Sequence, residues 1–145
     1  MLRLVTIVVW LFAATLNCSI IHAQLQEQQE GIGELKNGVL HITAIEAAKL
    51  LEKDSNIKVL DVRTEFEYNR GHLEGAVQIN YYWFGFRQKL AALDKEATWL
   101  VHCKSGVRSS KTLALMQEAG FKSIVHMDDG IDGWRDAQLP ESITN

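Results

Sequence analysis

Five short apolar runs, separated by helical patterns, constrain the fold of this chain more than any other feature of its sequence. Strands that read as nearly continuous apolar runs are typical of parallel sheets with both faces covered. Their alternation with helices predicts an α/β fold, a single domain with a central five-stranded, mainly parallel sheet and helices on both faces. The predicted strands are VLHI (39–42), IKVLDV (57–62), GAVQIN (75–80), ATWLVHC (97–103) and KSIVHM (122–127).

The segments between these runs carry helix signals. Thr43 is followed by Glu46 three residues later, which is the pattern of a capping box at the start of an amphipathic helix. Gly120 stands where a C-terminal cap glycine is expected. The other predicted helices are TEFEYNR (64–70), FRQKLAAL (86–93), SSKTLALMQEAG (109–120) and a last turn that starts near Gly133 and Trp134.

The N-terminal residues do not belong to this pattern. Arg3 supplies a positive charge, an apolar run extends over residues 4–16, and a more polar stretch ends at Ala23. This layout predicts a signal peptide over residues 1–23, cleaved before Gln24. An uncleaved membrane anchor is the alternative, but an apolar run of about 13 residues is short against the roughly 20 that span a bilayer.

The rest of the chain divides into a lead-in and one domain. Residues 24–38 are polar and rich in Gln and Glu, which predicts a flexible lead-in, and residues 39–145 form the domain. We expect an exported protein in a periplasm, with secretion or N-terminal anchoring as alternatives, and no membrane contact after cleavage of the signal peptide. The net charge of −3 and the scattered Lys and Arg residues argue against a nucleic-acid partner.

Cleavage before Gln24 would leave Cys103 as the single cysteine. A free thiol in an oxidising compartment is a liability unless it is buried or used. Two interpretations are therefore open. Cys103 is either an inert side chain that packs as a small apolar group, or it is a nucleophile.

The neighbours of Cys103 favour the nucleophile. The stretch VHCKSGVRSS (101–110) places Cys103 at the end of a strand, a few residues before a helix. Gly106 permits a tight loop whose backbone N–H groups face the sulfur. The helix N-terminus, Lys104 and Arg108 add positive charge. Each of these effects stabilises the thiolate, so a nucleophile is expected at neutral pH.

Three motifs in this order resemble those of the rhodaneses, the thiosulfate sulfurtransferases. CKSGVRS (103–109) is similar to the family's active loop C-x-x-G-x-R-S. DVRTEFEYNRGHLEGAVQIN (61–80) is similar to its D-V-R…GH-I-x-G-A…I-N segment, and MDDGIDGW (127–134) to its closing G-G-x-x-A-W stretch. The resemblance covers nearly the whole chain after residue 23 and implies a rhodanese-like domain.

The resemblance also implies an activity, which is sulfur transfer through a persulfide on Cys103. A donor such as thiosulfate would supply the sulfur, an acceptor (cyanide, a small thiol or a protein thiol) would remove it, and no cofactor is implied. Lys104 and Arg108 would bind the sulfonate end of the donor. The substrate-binding residues are expected to be Lys104, Ser105, Gly106, Val107, Arg108 and Ser109.

The length of the loop separates this interpretation from a related one. Phosphatases and arsenate reductases of the same fold resemble rhodaneses with one extra loop residue. Four residues separate Cys103 from Arg108, so the loop is expected to close around one added sulfur rather than a tetrahedral oxyanion. A phosphatase or arsenate reductase is therefore disfavoured.

Asp61 ends the strand that, in the family's sheet order, neighbours the strand of Cys103. A bare carboxylate there would oppose thiolate formation, so we expect Asp61 to pair with Arg63 or to accept backbone hydrogen bonds. This predicts a structural rather than a catalytic role. Glu65 and Glu67 could also engage Arg63, and the sequence leaves that choice open.

The histidines are not expected to act on Cys103 or to bind metal. Side chains of neighbouring strand residues point to opposite faces, so His102 is expected to face away from Cys103 and to pack. His72 is expected to fix the turn before the third strand. No two histidines lie at a ligand spacing with a carboxylate or a cysteine, so no metal site is predicted.

Two departures from the family pattern leave a second function open. Residues 81–86, YYWFGF, hold five aromatic side chains, which either pack in the core or form an exposed collar that docks a partner protein. Asp129 stands where the family has a glycine, and its charge near the rim would discourage anionic donors. A catalytically idle module that binds a partner is therefore the alternative to the sulfurtransferase, although the presence of Cys103 favours catalysis.

Overall fold

The computed structural model describes residues 31–143, which form one mixed sheet flanked by helices. The strands are β1 (Glu34–Lys36), β2 (Val39–Ile42), β3 (Lys58–Asp61), β4 (Val77–Gln78), β5 (Thr98–His102) and β6 (Ser123–Met127). The helices are α1 (Ala44–Lys53), α2 (Glu65–Asn69), α3 (Phe86–Ala91), α4 (Val107–Glu118) and α5 (Gly130–Asp136). The strand order is β1-β2-β6-β5-β3-β4, and all neighbours are parallel except β1 and β2. The α/β class is as predicted.

The sheet has one strand more than the five predicted. β1 lies within residues 24–38, where the sequence predicted a flexible lead-in, and it pairs antiparallel with β2. Asn37 and Gly38 form the turn at φ 50° and 77°, and two positive φ values in a two-residue turn are typical of a type I′ hairpin. All of β1 is exposed, so it lacks the apolar run by which the other strands are recognised.

Two of the helices begin with a capping box. The predicted box at Thr43 is confirmed, because Thr43 Oγ1 accepts a hydrogen bond from Glu46 N (3.3 Å) and Glu46 Oε2 accepts one from Thr43 N (2.8 Å). A second box at the start of α2 joins Thr64 and Glu67 in the same way. Each box satisfies two backbone groups that would otherwise lack partners.

Some boundaries differ from the predicted ones. β4 is limited to Val77–Gln78, and α5 begins at Gly130, before the predicted start near Gly133. α4 begins at Val107, two residues before the predicted start, because Gly106 turns the chain into the helix in a left-handed conformation (φ 81°). The first-turn N–H groups of a helix have no partner within it. The early start of α4 therefore leaves free N–H donors close to Cys103.

The core has two layers, one on each face of the sheet. On one face α3 and α4 pack against β3 and β5 through side chains such as Phe86, Met116 and Val101. On the other face α1 and α5 pack through Ala47, Trp134 and other apolar residues. Both faces of the sheet are therefore covered, as a mainly parallel sheet requires.

The carboxyl ends of the parallel strands bring distant residues to one edge of the sheet. Asp61 at the end of β3 lies opposite His102 at the end of β5, and Cys103 follows directly. In parallel sheets this edge is where ligands bind. Among the described helices, none combines the length and apolarity needed to cross a bilayer. The predicted signal peptide lies outside the described residues.

Candidate active site

The loop after Cys103 leads directly from β5 into α4, and two glycines make its path possible. Gly106 adopts φ 81°, and a Cβ at this position would overlap the carbonyl oxygen of Asp128. Gly130 adopts φ 61°, and a Cβ there would meet the carbonyl oxygen of Lys104. The loop is therefore packed tightly against the start of α5.

The carbonyl groups of the loop face α5. Ile131 N donates to Cys103 O and Asp132 N donates to Lys104 O, each at 2.9 Å. These N–H groups belong to the first turn of α5, where the backbone N–H groups have no acceptor within the helix. Two carbonyl oxygens next to the sulfur are thus engaged on the α5 side, away from the N–H groups that face Cys103.

The sulfur of Cys103 is surrounded by hydrogen-bond donors. The residue is only 1% exposed, and Ser109 Oγ lies 3.4 Å from Sγ. Burial alone would raise the pKa of the Cys103 thiol. Hydrogen bonds from the Ser109 hydroxyl and from the backbone N–H groups of Ser109, Ser105 and Arg108 outweigh burial and lower that pKa. This arrangement of donors favours the thiolate form of Cys103.

Arg108 lies beside this site but is held by Glu67. Arg108 Nη1 donates to Glu67 Oε2 at 2.8 Å and Nη2 donates to Oε1 at 2.6 Å. The guanidinium holds the pKa of Glu67 at about 2, and Glu67 raises the pKa of Arg108. Glu67 also closes the capping box with Thr64. The sequence placed Glu67 only as a candidate partner of Arg63, so the pair with Arg108 was missed.

Lys104, the second predicted anion-binding residue, is also paired. Its Nζ lies 2.7 Å from Asp132 Oδ2, and both side chains are exposed to solvent. Val107 is exposed at the start of α4. Both predicted cations therefore have carboxylate partners that an anionic substrate would have to displace.

The predicted pair of Asp61 and Arg63 is present and buried. Arg63 Nε lies 2.9 Å from Asp61 Oδ2, Arg63 Nη2 lies 2.5 Å from the same oxygen, and Arg63 N donates to Asp61 Oδ1. Arg63 Nη2 also donates to Gly71 O at 2.8 Å. Glu67 offers Arg63 only its backbone carbonyl (3.3 Å). The pair joins β3 to the segment after α2.

His102 and His72 have structural contacts. His102 is buried, with Nδ1 at 3.2 Å from Cys103 O and Nε2 at 3.7 Å from Asp61 Oδ2. No hydrogen bond to the sulfur is found for it among the described residues. His72 exchanges two backbone hydrogen bonds with Ser142. Both positions fit the packing and turn roles expected of these residues.

A polar chain behind the loop was missed by the sequence analysis. His126 Nε2 lies 2.9 Å from Ser109 Oγ, and His126 Nδ1 lies 2.5 Å from Asp128 Oδ1. His41 Nδ1 approaches the same oxygen at 2.8 Å. Burial lowers the pKa of His126, although the carboxylate of Asp128 opposes this shift. The two histidines are 85 residues apart, and their proximity results from the pairing of β2 with β6.

The aromatic stretch 81–86 divides between core and surface. Tyr81 and Phe86 pack in the core. Tyr82 is largely exposed, Trp83 is less than half exposed and Phe84 is 98% exposed. The guanidinium carbon of Arg108 lies 5.7 Å from the centre of the Tyr82 ring. Core packing therefore applies to Tyr81 and Phe86, whereas Tyr82, Trp83 and Phe84 are exposed, and the docking of a partner protein by them stays a prediction.

Asp129 contacts the start of α1 through one oxygen of its carboxylate. Its Oδ2 accepts a hydrogen bond from Ala44 N at 3.1 Å, in the first turn of α1. A carboxylate is favourable at a helix N-terminus.

The fold and the loop define a class of α/β domain in which a cysteine at the end of a parallel strand lies in a ring of backbone N–H donors. Residues 43–137 match the Rhodanese-like domain family, and the chain belongs to that family. It is 32% identical over 102 residues to the probable adenylyltransferase/sulfurtransferase MoeZ of Mycobacterium tuberculosis, a match that covers 70% of this chain but only 26% of that protein.

Two further relatives match over most of their own length. Rhodanese-like domain-containing protein 17 of Arabidopsis thaliana is 32% identical over 117 residues, with 72% of this chain and 74% of that protein covered. The crystal structure of a rhodanese-related protein from Thermoplasma volcanium matches with a TM-score of 0.64 at 25% identity, covering 72% of this chain and 98% of that one. These matches support a chemistry of the sulfur-transfer type and leave the donor and the acceptor open.

Proposed function

We propose that this chain is a sulfurtransferase in which Cys103 carries a sulfane sulfur as a persulfide, from a donor such as thiosulfate to cyanide or a thiol. The observation that supports the proposal is the ring of donors around Sγ, formed by Ser109 Oγ at 3.4 Å and the backbone N–H groups of Ser105, Arg108 and Ser109. Preorganised donors of this kind stabilise a sulfur anion without reorganisation during the reaction.

The reaction consists of two displacements at sulfur. The Cys103 thiolate attacks the outer sulfur of thiosulfate, a new S–S bond forms, and the old S–S bond breaks with its electron pair leaving on sulfite. Cyanide then attacks the terminal sulfur of the persulfide, thiocyanate leaves, and the thiolate is restored. Such covalent catalysis gives ping-pong kinetics, and no external oxidant or reductant is consumed.

The charges near the loop suit a small anionic donor. A cleft of about 430 Å³ lies beside the loop and is lined by Arg63, Phe66, Glu67, Arg70, Lys104, Arg135 and Glu141. The lining holds four cationic side chains, of which Arg63, Lys104 and Arg135 are paired with carboxylates. Arg108, on the other side of Glu67, could exchange that carboxylate for the sulfonate of the donor because both offer oxygen pairs to a guanidinium.

The test is intact-mass measurement on the purified chain after treatment with thiosulfate. A species heavier by one sulfur atom is expected, and it should disappear on addition of cyanide, with thiocyanate released. Cys103→Ser is expected to show no added mass, and Ser110→Ala, which changes an exposed hydroxyl of the same helix, is the matched control. A folded chain with a titratable thiol and no added mass would contradict thiosulfate as donor, and the same result with persulfide donors would contradict sulfur transfer.

A second candidate is a binding module that docks a partner protein through the exposed side chains of Tyr82, Trp83 and Phe84. Their exposure beside Arg108 is the observation that favours it, since exposed apolar patches often mark interaction sites. The two functions are separated by Cys103→Ser. This change should abolish sulfur transfer, whereas partner binding through the aromatic side chains should survive it.

We also propose that the chain is exported, on the basis of the N-terminal pattern of residues 1–23. Expression of the full chain followed by N-terminal sequencing of the product tests this. Cleavage before Gln24 is expected. A product that retains Met1 in a membrane fraction would favour the anchor instead.

A further inference from the structure

Three side chains with metal-binding chemistry converge next to the loop of Cys103. His41 lies on β2, His126 lies opposite it on β6, and Asp128 follows β6. The Nδ1 atoms of the two rings are 3.4 Å apart, and they approach Asp128 Oδ1 at 2.8 and 2.5 Å. Within residues 31–143 this is the one group of its kind.

If the imidazole rings of His41 and His126 were both neutral and no ion were bound, their N–H groups would have to be arranged in one particular way. A neutral imidazole has one N–H, so both rings would have to direct it from Nδ1 at the same oxygen of Asp128. His126 Nε2 would then be an acceptor, and Ser109 would have to give it its only hydroxyl proton. Cys103 Sγ, 3.4 Å from Ser109 Oγ, would lose its side-chain donor.

A divalent cation among the three atoms satisfies these contacts without a proton on either Nδ1 atom. Both Nδ1 atoms then serve as ligands, and His126 keeps its proton on Nε2, which donates to Ser109 Oγ at 2.9 Å. The hydroxyl proton of Ser109 is then left for its two other acceptors, Cys103 Sγ at 3.4 Å and Gly106 O at 3.0 Å. Metal-binding histidines usually donate their second ring N–H to a fixed acceptor, and Ser109 supplies one for His126.

We propose that His41, His126 and Asp128 bind a divalent transition-metal ion of the zinc class. Two imidazole nitrogens and one carboxylate oxygen form a ligand set that zinc accepts, with water in the fourth position. Ligand atoms lie about 2.0–2.2 Å from zinc and hence roughly 3.3 Å from each other in a tetrahedron. The observed separations of 2.5 to 3.4 Å need shifts of less than about 1 Å to reach this geometry.

The ion can reach this position from solvent. The side chain of Asp128 is half exposed and that of His41 is partly exposed, whereas His126 is buried behind them. The site goes beyond the proposed function and does not depend on it. Where both hold, the ion fixes the direction of the hydrogen bonds that end at Cys103 Sγ.

Zinc binding is to be measured on the full-length chain without a polyhistidine tag. Cys18 and Cys103 are both replaced by serine, so that no thiolate competes for the metal. Zn²⁺ is titrated against a coloured competing chelator, and Co²⁺ is added separately to record the visible absorption of its nitrogen–oxygen coordination. One ion per chain is expected, together with a rise of Tm in the presence of Zn²⁺.

Two ligand variants and one control complete the experiment. His41→Asn and Asp128→Asn change partly exposed side chains, and circular dichroism checks the fold of each. Because loss of an outer-shell partner already costs about 10- to 100-fold in metal affinity, loss of a ligand is expected to cost at least about 10-fold. Asp94→Asn removes the same charge at an exposed position before β5 and should leave zinc affinity unchanged.

Two results would overturn the proposal. One is the absence of zinc binding by the folded double-serine chain. The other is zinc binding that both ligand variants retain at full strength. Since the chain in this experiment lacks Cys103, failure of zinc binding and failure of sulfur transfer are separate results.

Discussion

Two guanidinium–carboxylate pairs near the same edge of the sheet differ in their contact with water. Asp61 and Arg63 have side chains that are 0 and 2% exposed. Glu67 and Arg108 have side chains that are 26 and 13% exposed. In both pairs two guanidinium nitrogens face one carboxylate at hydrogen-bond distance. The paired groups are chemically the same, but their exposure to solvent differs.

Because of this difference, we expect the two pairs to have different roles. A buried charge that loses its partner is left without compensation, so the Asp61–Arg63 pair is fixed. The Glu67–Arg108 pair is partly hydrated, and a dissolved anion can replace one partner at a modest cost in free energy. Arg63 is therefore expected to support the fold, and Arg108 to bind substrate.

The largest effect is expected from breaking the buried pair. Arg63→Met leaves the buried carboxyl group of Asp61 without its ion-pair partner and should lower the free energy of unfolding by about 3–5 kcal/mol, measured by urea denaturation. Asp61→Leu combined with Arg63→Met removes both charges and should recover part of the loss. Equal stability of Arg63→Met and the wild type would contradict a larger structural role for the buried pair than for the pair of Glu67 and Arg108.

A smaller effect on the free energy of unfolding, with a defined pH dependence, is expected at the partly exposed pair of Glu67 and Arg108. The pKa of Glu67 is about 2 in the folded chain, against an ordinary value of 4.5. The pair therefore stabilises the fold fully above pH 4.5, and this contribution is lost as the pH falls towards 2. Solvent screening limits it to about 1 kcal/mol.

The measurement is the difference in unfolding free energy between the wild type and Glu67→Gln as a function of pH. The difference should be constant from pH 7 down to about 4.5 and should shrink below that value. A difference that grows on acidification would contradict the pairing of Glu67 with Arg108.

The exchange of partners at Arg108 can be measured without sulfur transfer. Glu67→Gln frees Arg108 and removes a negative charge, so alkylation of Cys103 by anionic iodoacetate should accelerate relative to neutral iodoacetamide. One unit charge at several Å in water gives roughly a 2- to 5-fold change in this ratio. Glu65→Gln, which removes an exposed carboxylate of the same helix, should change the ratio less.

The smallest effect is expected at the exposed pair of Lys104 and Asp132. Lys104→Gln should change the free energy of unfolding by less than about 0.5 kcal/mol, because exposed ion pairs contribute little. The KM for thiosulfate is expected to rise while the Tm stays constant. A loss of stability as large as that of Arg63→Met would show that Lys104 supports the fold and would contradict this prediction.

The features that the sequence predicted correctly are those carried by local patterns. The five apolar runs, the capping box at Thr43, the loop around Cys103 and the pair of Asp61 with Arg63 all depend on residues close together in the chain. Asp61 and Arg63 are two residues apart, and a strand end places them on the same side. Local spacing was sufficient for these elements.

The features that were missed depend on strand register or on competition between partners. His41 and His126 meet because β2 and β6 pair in register, which spacing along the chain cannot show. The sequence offered Arg63 as the partner of Glu67, whereas the fold brings Glu67 to Arg108, which is 41 residues away in the chain. The exposed strand β1 has no apolar pattern, although the Asn37-Gly38 pair was a usable hairpin signal.

The short hairpin strand β1 has a consequence for behaviour at high concentration. It occupies the outer side of β2 with three exposed residues, two of them charged, while the opposite margin of the sheet is the two-residue strand β4. Long, flat edge strands can form backbone hydrogen bonds with other chains, whereas short or charged edge strands resist such pairing. Among the described residues, both margins of this sheet are of the protected kind, which disfavours assembly of the folded domain into intermolecular sheets.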